Sequence, residues 1–145
     1  MKAHHIAIAS DHRGYLLKKE IVKYIMDLEI SVRDLGVHNN KDSVDYPDYA
    51  DFVVDVIEND EADLGILICD TGIGMSIAAN RRSTIRAALC TDEFMAKKSR
   101  LHNNANVLVL GSKLVNNDLA IKIVESFLST KFEGGRHISR LKKIS

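Results

Sequence analysis

DLGILICDTGIGMSIAAN, from Asp63 to Asn80, is the stretch that decides the fold. Leu64 to Ile68 is an apolar run of strand length. It breaks into a polar, glycine-punctuated turn, Cys69 to Gly74, and resumes as Met75 to Asn80, whose Ala and Met content suits a helix. A buried strand, a tight turn and a helix start leave backbone N–H groups pointing over the turn, where an anion is favoured. The glycines let a ligand approach the backbone closely. Cys69 closes the strand beside those N–H groups, where a thiolate is stabilised. An anion cradle with a base at its lip suits a small phosphorylated substrate.

The same alternation extends in both directions. Upstream, His4 to Ala9 reads as a strand ending in Ser10-Asp11-His12-Arg13-Gly14, and a helix with apolar spacing follows from Tyr15 to Leu28. Ile30 to Leu35 reads as a second strand. A polar loop from Gly36 to Asp45 leads to a helix opened by Pro47, the chain's one proline, and running to about Asn59. Downstream, Ile85 to Cys90 and Val107 to Leu110 read as strands, with helices over about Asp92 to Arg100 and Asn117 to Ser129. The tail breaks at Gly134-Gly135 and ends as a short helix. Five strand–helix alternations predict an α/β fold, a five-stranded parallel sheet covered by helices on both faces. The flavodoxin-like strand order 2-1-3-4-5 is expected. It sets the topological switch between strands one and three and brings the turns after Ser10 and Cys69 side by side.

Composition bounds the function classes. The chain has 145 residues, enough for one domain with a substantial core, here taken as 1–145. Twenty Lys and Arg balance twenty Asp and Glu, so nothing in the charge points to nucleic acid or a membrane surface. The sequence shows no signal-peptide apolar region and no run of membrane-spanning length. Two cysteines, Cys69 and Cys90, both ending apolar runs, make poor material for a disulfide framework, and no zinc spacing is present. A reducing cytoplasm is the expected setting, with no metal and no cofactor.

Several residues carry more than one reading. Asp11 and His12 at the switch point suit sugar hydroxyls and a phosphate, or an ordinary structural turn. Cys69 reads as a nucleophilic base or as a small buried hydrophobe, and Cys90 as the latter. Asp70 counts against chemistry at Cys69, since a neighbouring carboxylate disfavours a thiolate and repels phosphate. His102 precedes the last strand, so it belongs at the opposite end of the sheet from Cys69. If it acts, it acts from a neighbouring subunit. Arg136 and Arg140 are one helical turn apart, with His137 between them, as a phosphate clamp or a solvated basic face.

The residues at this point resemble the ribose-5-phosphate isomerase B/galactose-6-phosphate isomerase family. The resemblance rests on SDHRG (Ser10–Gly14), DYPDYA (Asp45–Ala50), GILICDTGIGMSIAAN (Gly65–Asn80), SRLHNNANVLVLGSK (Ser99–Lys113) and FEGGRHISR (Phe132–Arg140), in order along nearly the whole chain. It implies a metal-free aldose–ketose isomerase with a Rossmann-like three-layer α/β/α fold, working as a homodimer or homotetramer with sites shared between subunits, and with the tail, 131–145, completing the site or the dimer. By this resemblance Cys69 moves a proton between C1 and C2 through a cis-enediol(ate), Thr71 supports the transfer and His102 assists ring opening. Asp11, His12, the Asp70-Thr71-Gly72-Ile73-Gly74 turn, Asn103, Lys113, Arg136 and Arg140 match substrate- or phosphate-binding positions. Asp70 stands where glycine is usual, and Lys113 where arginine is usual, which removes the bidentate fork. The implied reaction is ribose 5-phosphate to ribulose 5-phosphate in the non-oxidative pentose phosphate pathway. Galactose 6-phosphate, allose 6-phosphate and a tetrose phosphate are alternative substrates. A silent phosphate-binding module and a metal-dependent isomerase are the rivals from other classes.

Overall fold

The computed structural model describes residues 4–145. Five strands, β1 (His5–Ser10), β2 (Ser31–Asp34), β3 (Leu64–Cys69), β4 (Ala87–Leu89) and β5 (Val107–Gly111), form one parallel sheet. Six helices accompany them: α1 (Tyr15–Asp27), α2 (Tyr46–Glu58), α3 (Ile73–Ala79), α4 (Glu93–Asn103), α5 (Asn117–Ser129) and α6 (His137–Lys142). Strand alternation divides the core. Ile6, Ile8, Ile66, Ile68, Leu108 and Leu110 face one side and pack with residues of α1, α4 and α5, including Ile21, Ile25, Ala96, Ile123 and Phe127. Ala7, Ala9, Leu67, Cys69, Val107 and Val109 face the other, against Val53, Val54, Met75 and Ala79 of α2 and α3. Each large aliphatic side chain buried this way contributes about 1.5–3 kcal/mol.

The strand order is β2-β1-β3-β5-β4, which corrects the expected 2-1-3-4-5 at its last two places. The physical reason lies in the two strands. β5 is buried at every position and can tolerate cover on both faces, whereas β4 is three half-buried residues preceded by Arg86. The longer apolar strand takes the interior and the short one the edge. The switch point still falls between β1 and β3, because that pair is unaffected by the exchange.

Local chemistry sets the ends of several elements. Pro47 lies in the first turn of α2. Asp92 and Asn116 cap α4 and α5 by accepting the N–H of Met95 and of Leu119, each at 2.8 Å. The helix α4 runs on through His102 and Asn103, past its expected end at Arg100, and stops where Asn104 takes the left-handed conformation.

Candidate active site

Three strand-end turns meet at the switch point. After β1, Asp11 is 6% exposed, and its Oδ1 accepts the N–H of Arg13 at 2.9 Å and of Gly14 at 3.0 Å. One carboxylate oxygen therefore shapes its own turn, the structural role weighed for it. His12 is half-buried, and its Nδ1 accepts the Val44 N–H at 3.2 Å from the β2–α2 segment. After β3, Cys69 is buried and its Sγ accepts the Gly72 N–H at 3.2 Å, while the Ile73 N–H meets Thr71 Oγ1 at 3.3 Å. Two of the N–H groups expected to face a ligand are thus engaged within the turn, one of them on the sulfur. The Gly72 backbone, at φ 83°, reaches this geometry because it has no side chain to strain.

The turn after β5 is fastened to the turn after β3. The Ser112 N–H donates to the Cys69 carbonyl and the Lys113 N–H to the Asp70 carbonyl, both at 2.9 Å. A Cβ on Gly111 would lie 2.5 Å from the Thr71 carbonyl carbon and oxygen, so only glycine allows this approach. Ser112 Oγ also donates to the Arg13 carbonyl at 3.1 Å, and the Asp11 N–H to the Ile68 carbonyl at 3.2 Å. Asp11, His12, Cys69, Asp70, Thr71 and Lys113 are held in one neighbourhood by these bonds. Asp70 Oδ1 is buried with no hydrogen-bond partner among the described residues. Cys90 differs in kind from Cys69: burial pushes its thiol up to about 11, as befits a packing residue.

The other half of the expected set lies elsewhere. His102 and Asn103 occupy the last turn of α4, which feeds the start of β5. Cys69 pairs with Gly111 at the far end of that strand, and Gly65 with Val107 at its start. Four residues of strand, about 13 Å along its direction, therefore part the two ends. His102 is not a solitary side chain. Its ring stacks on His137 at 4.3 Å between centroids and 16° between planes, and both Nε2 atoms face Glu133 Oε2, at 3.7 and 3.4 Å. Partial desolvation first, then His137 and Lys98, hold His102 below its ordinary value, with Glu133 opposing. Arg140 joins His102, Asn103, His137, Leu141 and Ile144 around a cavity, and Arg136 is the exposed residue just before α6.

His102, Glu133 and His137 have ligand atoms within 4.8 Å of one another, a grouping of metal-ligating types not expected from spacing. Sequence reasoning left His137 and Tyr46 without roles. His137 was visible between the two arginines of the tail motif. The Tyr46 ring lies so close to Gly74 that a Cβ there would fall 2.5 Å from it, and DYPDYA was the available signal. Among the described residues no helix is long and apolar enough to cross a membrane, and both cysteines are free.

The family model described as Ribose/Galactose Isomerase matches residues 6–144. Ribose-5-phosphate isomerase B of Escherichia coli is 44% identical over 140 residues, 97% of this chain and 93% of that protein. A ribose 5-phosphate isomerase from Thermotoga maritima superposes with a TM-score of 0.96 at 53% identity, covering 99% of this chain and 98% of that one. Ribose-5-phosphate isomerase B from Mycoplasma genitalium, solved with bound ribulose-5-phosphate, gives 0.91 at 48% identity, covering 97% and 93%. With the match spanning nearly every element that builds the two half-sites, the chain belongs to the ribose/galactose isomerase family.

Proposed function

We propose that this protein interconverts D-ribose 5-phosphate and D-ribulose 5-phosphate by proton transfer, as an enzyme of the non-oxidative pentose phosphate pathway in the cytoplasm. The observation that carries the reading is Cys69, whose sulfur accepts a backbone N–H inside a turn locked to its neighbours. That contact holds the sulfur in place, and a thiolate fixed beside a carbon acid is a competent base. Cys69 removes the proton from C2 of the open-chain aldose, leaving a cis-enediolate, and returns it to C1. The backbone N–H groups of the 70–74 turn other than those of Gly72 and Ile73 stabilise the developing oxyanion, and the Thr71 hydroxyl moves the proton between O1 and O2. The reaction is a proton relocation with no net electron transfer, so it calls for no redox cofactor.

The separation of His102 from Cys69 supports a site shared between subunits. In a homodimer, or a tetramer of such pairs, His102 of one protomer opens the sugar ring above Cys69 of the other. Its neighbours Asn103, Arg136 and Arg140 then reach the hydroxyls and the phosphate from that side, while Asp11, His12 and Lys113 contact the substrate from the Cys69 side. The relatives with ribose 5-phosphate in their names favour the five-carbon sugar. The test is ribulose 5-phosphate formation in EDTA by wild type and Cys69→Ala. Wild-type activity that falls a hundredfold or more in the variant is the expected result. A fully active variant removes Cys69 from the mechanism. An inactive wild type redirects the assay to galactose, allose and tetrose phosphates.

A further inference from the structure

Lys18 is 0% exposed and among the largest fully buried side chains, yet its charge takes no part in the chemistry above. Its ammonium donates to Asp34 Oδ1 at 2.6 Å, at the end of β2, and to the Val37 carbonyl at 2.8 Å. The same Asp34 oxygen accepts the Gly36 N–H at 2.9 Å. Two further bonds join this point to β1. The Ser10 N–H donates to the Gly36 carbonyl at 2.8 Å, and the Val37 N–H to the Ser10 carbonyl at 3.0 Å. Lys18 thus sits where the end of β2, the start of the β2–α2 segment and the residue before Asp11-His12 converge.

The far end of that segment carries the consequence. Val44 donates its N–H to His12 Nδ1 at 3.2 Å. Between Val37 and Val44 the chain is exposed and polar, and the Lys41 and Asp42 N–H groups bond only locally, to Asn39 Oδ1. Val44 directly precedes Asp45, the N-cap of α2, so its seat is set by α2 on one side and by the Val37 anchor on the other. An Nδ1 that accepts a hydrogen bond cannot carry the ring proton, so the neutral imidazole holds it on Nε2. A buried charge that an apolar residue could replace without loss of stability is a candidate for a role in specifying conformation.

We propose that Lys18 is a positioning residue: through Asp34 and Val37 it anchors the β2–α2 segment so that Val44 fixes His12 as the Nε2–H tautomer, a donor for a phosphate or hydroxyl oxygen. Its effect on substrate affinity rests on the reading of His12 as a substrate contact. Its effect on the His12 tautomer does not.

The variants are Lys18→Met, which keeps the unbranched stem, and Asp34→Ala, at a side chain 32% exposed that tolerates truncation if Lys18→Met does not fold. Long-range nitrogen–proton NMR of the whole protein reports the His12 tautomer, and steady-state kinetics with ribose 5-phosphate reports KM and kcat. Both variants are expected to show substantial Nδ1–H tautomer. They should raise KM about tenfold, the size of one lost charge-assisted hydrogen bond, with kcat within about threefold of wild type. Asp34→Asn keeps an oxygen for both Lys18 and Gly36 and restores the wild-type tautomer and KM. Ile21→Val, a truncation in the core of the same helix, lowers stability and moves neither readout. A folded Lys18→Met or Asp34→Ala protein with wild-type His12 tautomer overturns the proposal. A shifted tautomer with unchanged KM upholds the positioning and removes His12 from the substrate contacts.

Discussion

Mixing Cys69→Ala with His102→Ala subunits should restore activity that neither variant has alone. Val107 of β5 pairs with Gly65, and Gly111 with Cys69, so about 13 Å of strand separates the α4 end of the sheet from the sulfur. A base and a ring-opening group acting on adjacent atoms of one sugar must each come within roughly 3 Å of them. In the proposed roles, one chain would not supply both groups to one substrate at that separation. In the proposed two-fold dimer each site would draw Cys69 from one protomer and His102 from its partner. A mixed dimer then has one site with both lesions and one intact. Equal amounts unfolded together and refolded at random give mixed dimers as half the population, so recovery is about one quarter of wild-type activity. The assay is ribulose 5-phosphate formation against each parent refolded separately, both depressed a hundredfold or more. A mixture no more active than the mean of its parents would refute the shared site.

Three other outcomes follow from single residues. Gly72→Ala should cost about 1–2 kcal/mol from left-handed strain at φ 83°, since Leu89 Cδ1, 2.5 Å from the added Cβ, lies at the end of a side chain that can shift. Urea unfolding measures this, and a loss below about 1 kcal/mol contradicts the strain argument. Cys90→Ala should keep kcat/KM within about twofold, and wild-type Cys90, its thiol pushed up to about 11, should stay unmodified by iodoacetamide at neutral pH, as read by mass spectrometry. For pH, His102 lies below its ordinary value of 6.5, so it stays neutral, and able to take a proton, as pH falls through 6.5. If its protonation sets the acid limb of kcat/KM, the midpoint falls below pH 6.5, and a midpoint at or above that value counts against it.

The elements were legible wherever an apolar run ended at a glycine or a cap. β3 and α5 match their expected bounds because Cys69-Asp70 and Asn116 mark clear transitions. Strand order was less legible, since periodicity identifies strands but not neighbours. The cue for β4 was the charge and small size of Arg86-Ala87-Ala88, which suit an edge, against the unbroken apolar run of β5. The placement of His102 opposite Cys69 followed from topology alone. Its stacking on His137, 35 positions away, did not, because no local pattern encodes a contact between α4 and α6. The run of α4 to Asn103 had a readable cue in Asn104, a residue that enters the left-handed region easily and so terminates helices. The uses of Asp11 Oδ1 and of the Gly72 N–H within their own turns depend on dihedral angles that residue types do not fix.

The fastening of the β3 and β5 turns bears on how this protein could be changed. With two backbone bonds between them and Gly111 pressed on Thr71, these turns shift together or not at all, and under the proposed function they would form a floor that does not mould itself to different sugars. Adaptation to a longer or shorter carbon chain must then come from the rim, where residues 38–43 are exposed and bonded mainly to one another. Redesign of sugar preference should therefore randomise that rim and leave Gly111 and Ser112 untouched. Libraries aimed at the floor should lose folding before they alter selectivity.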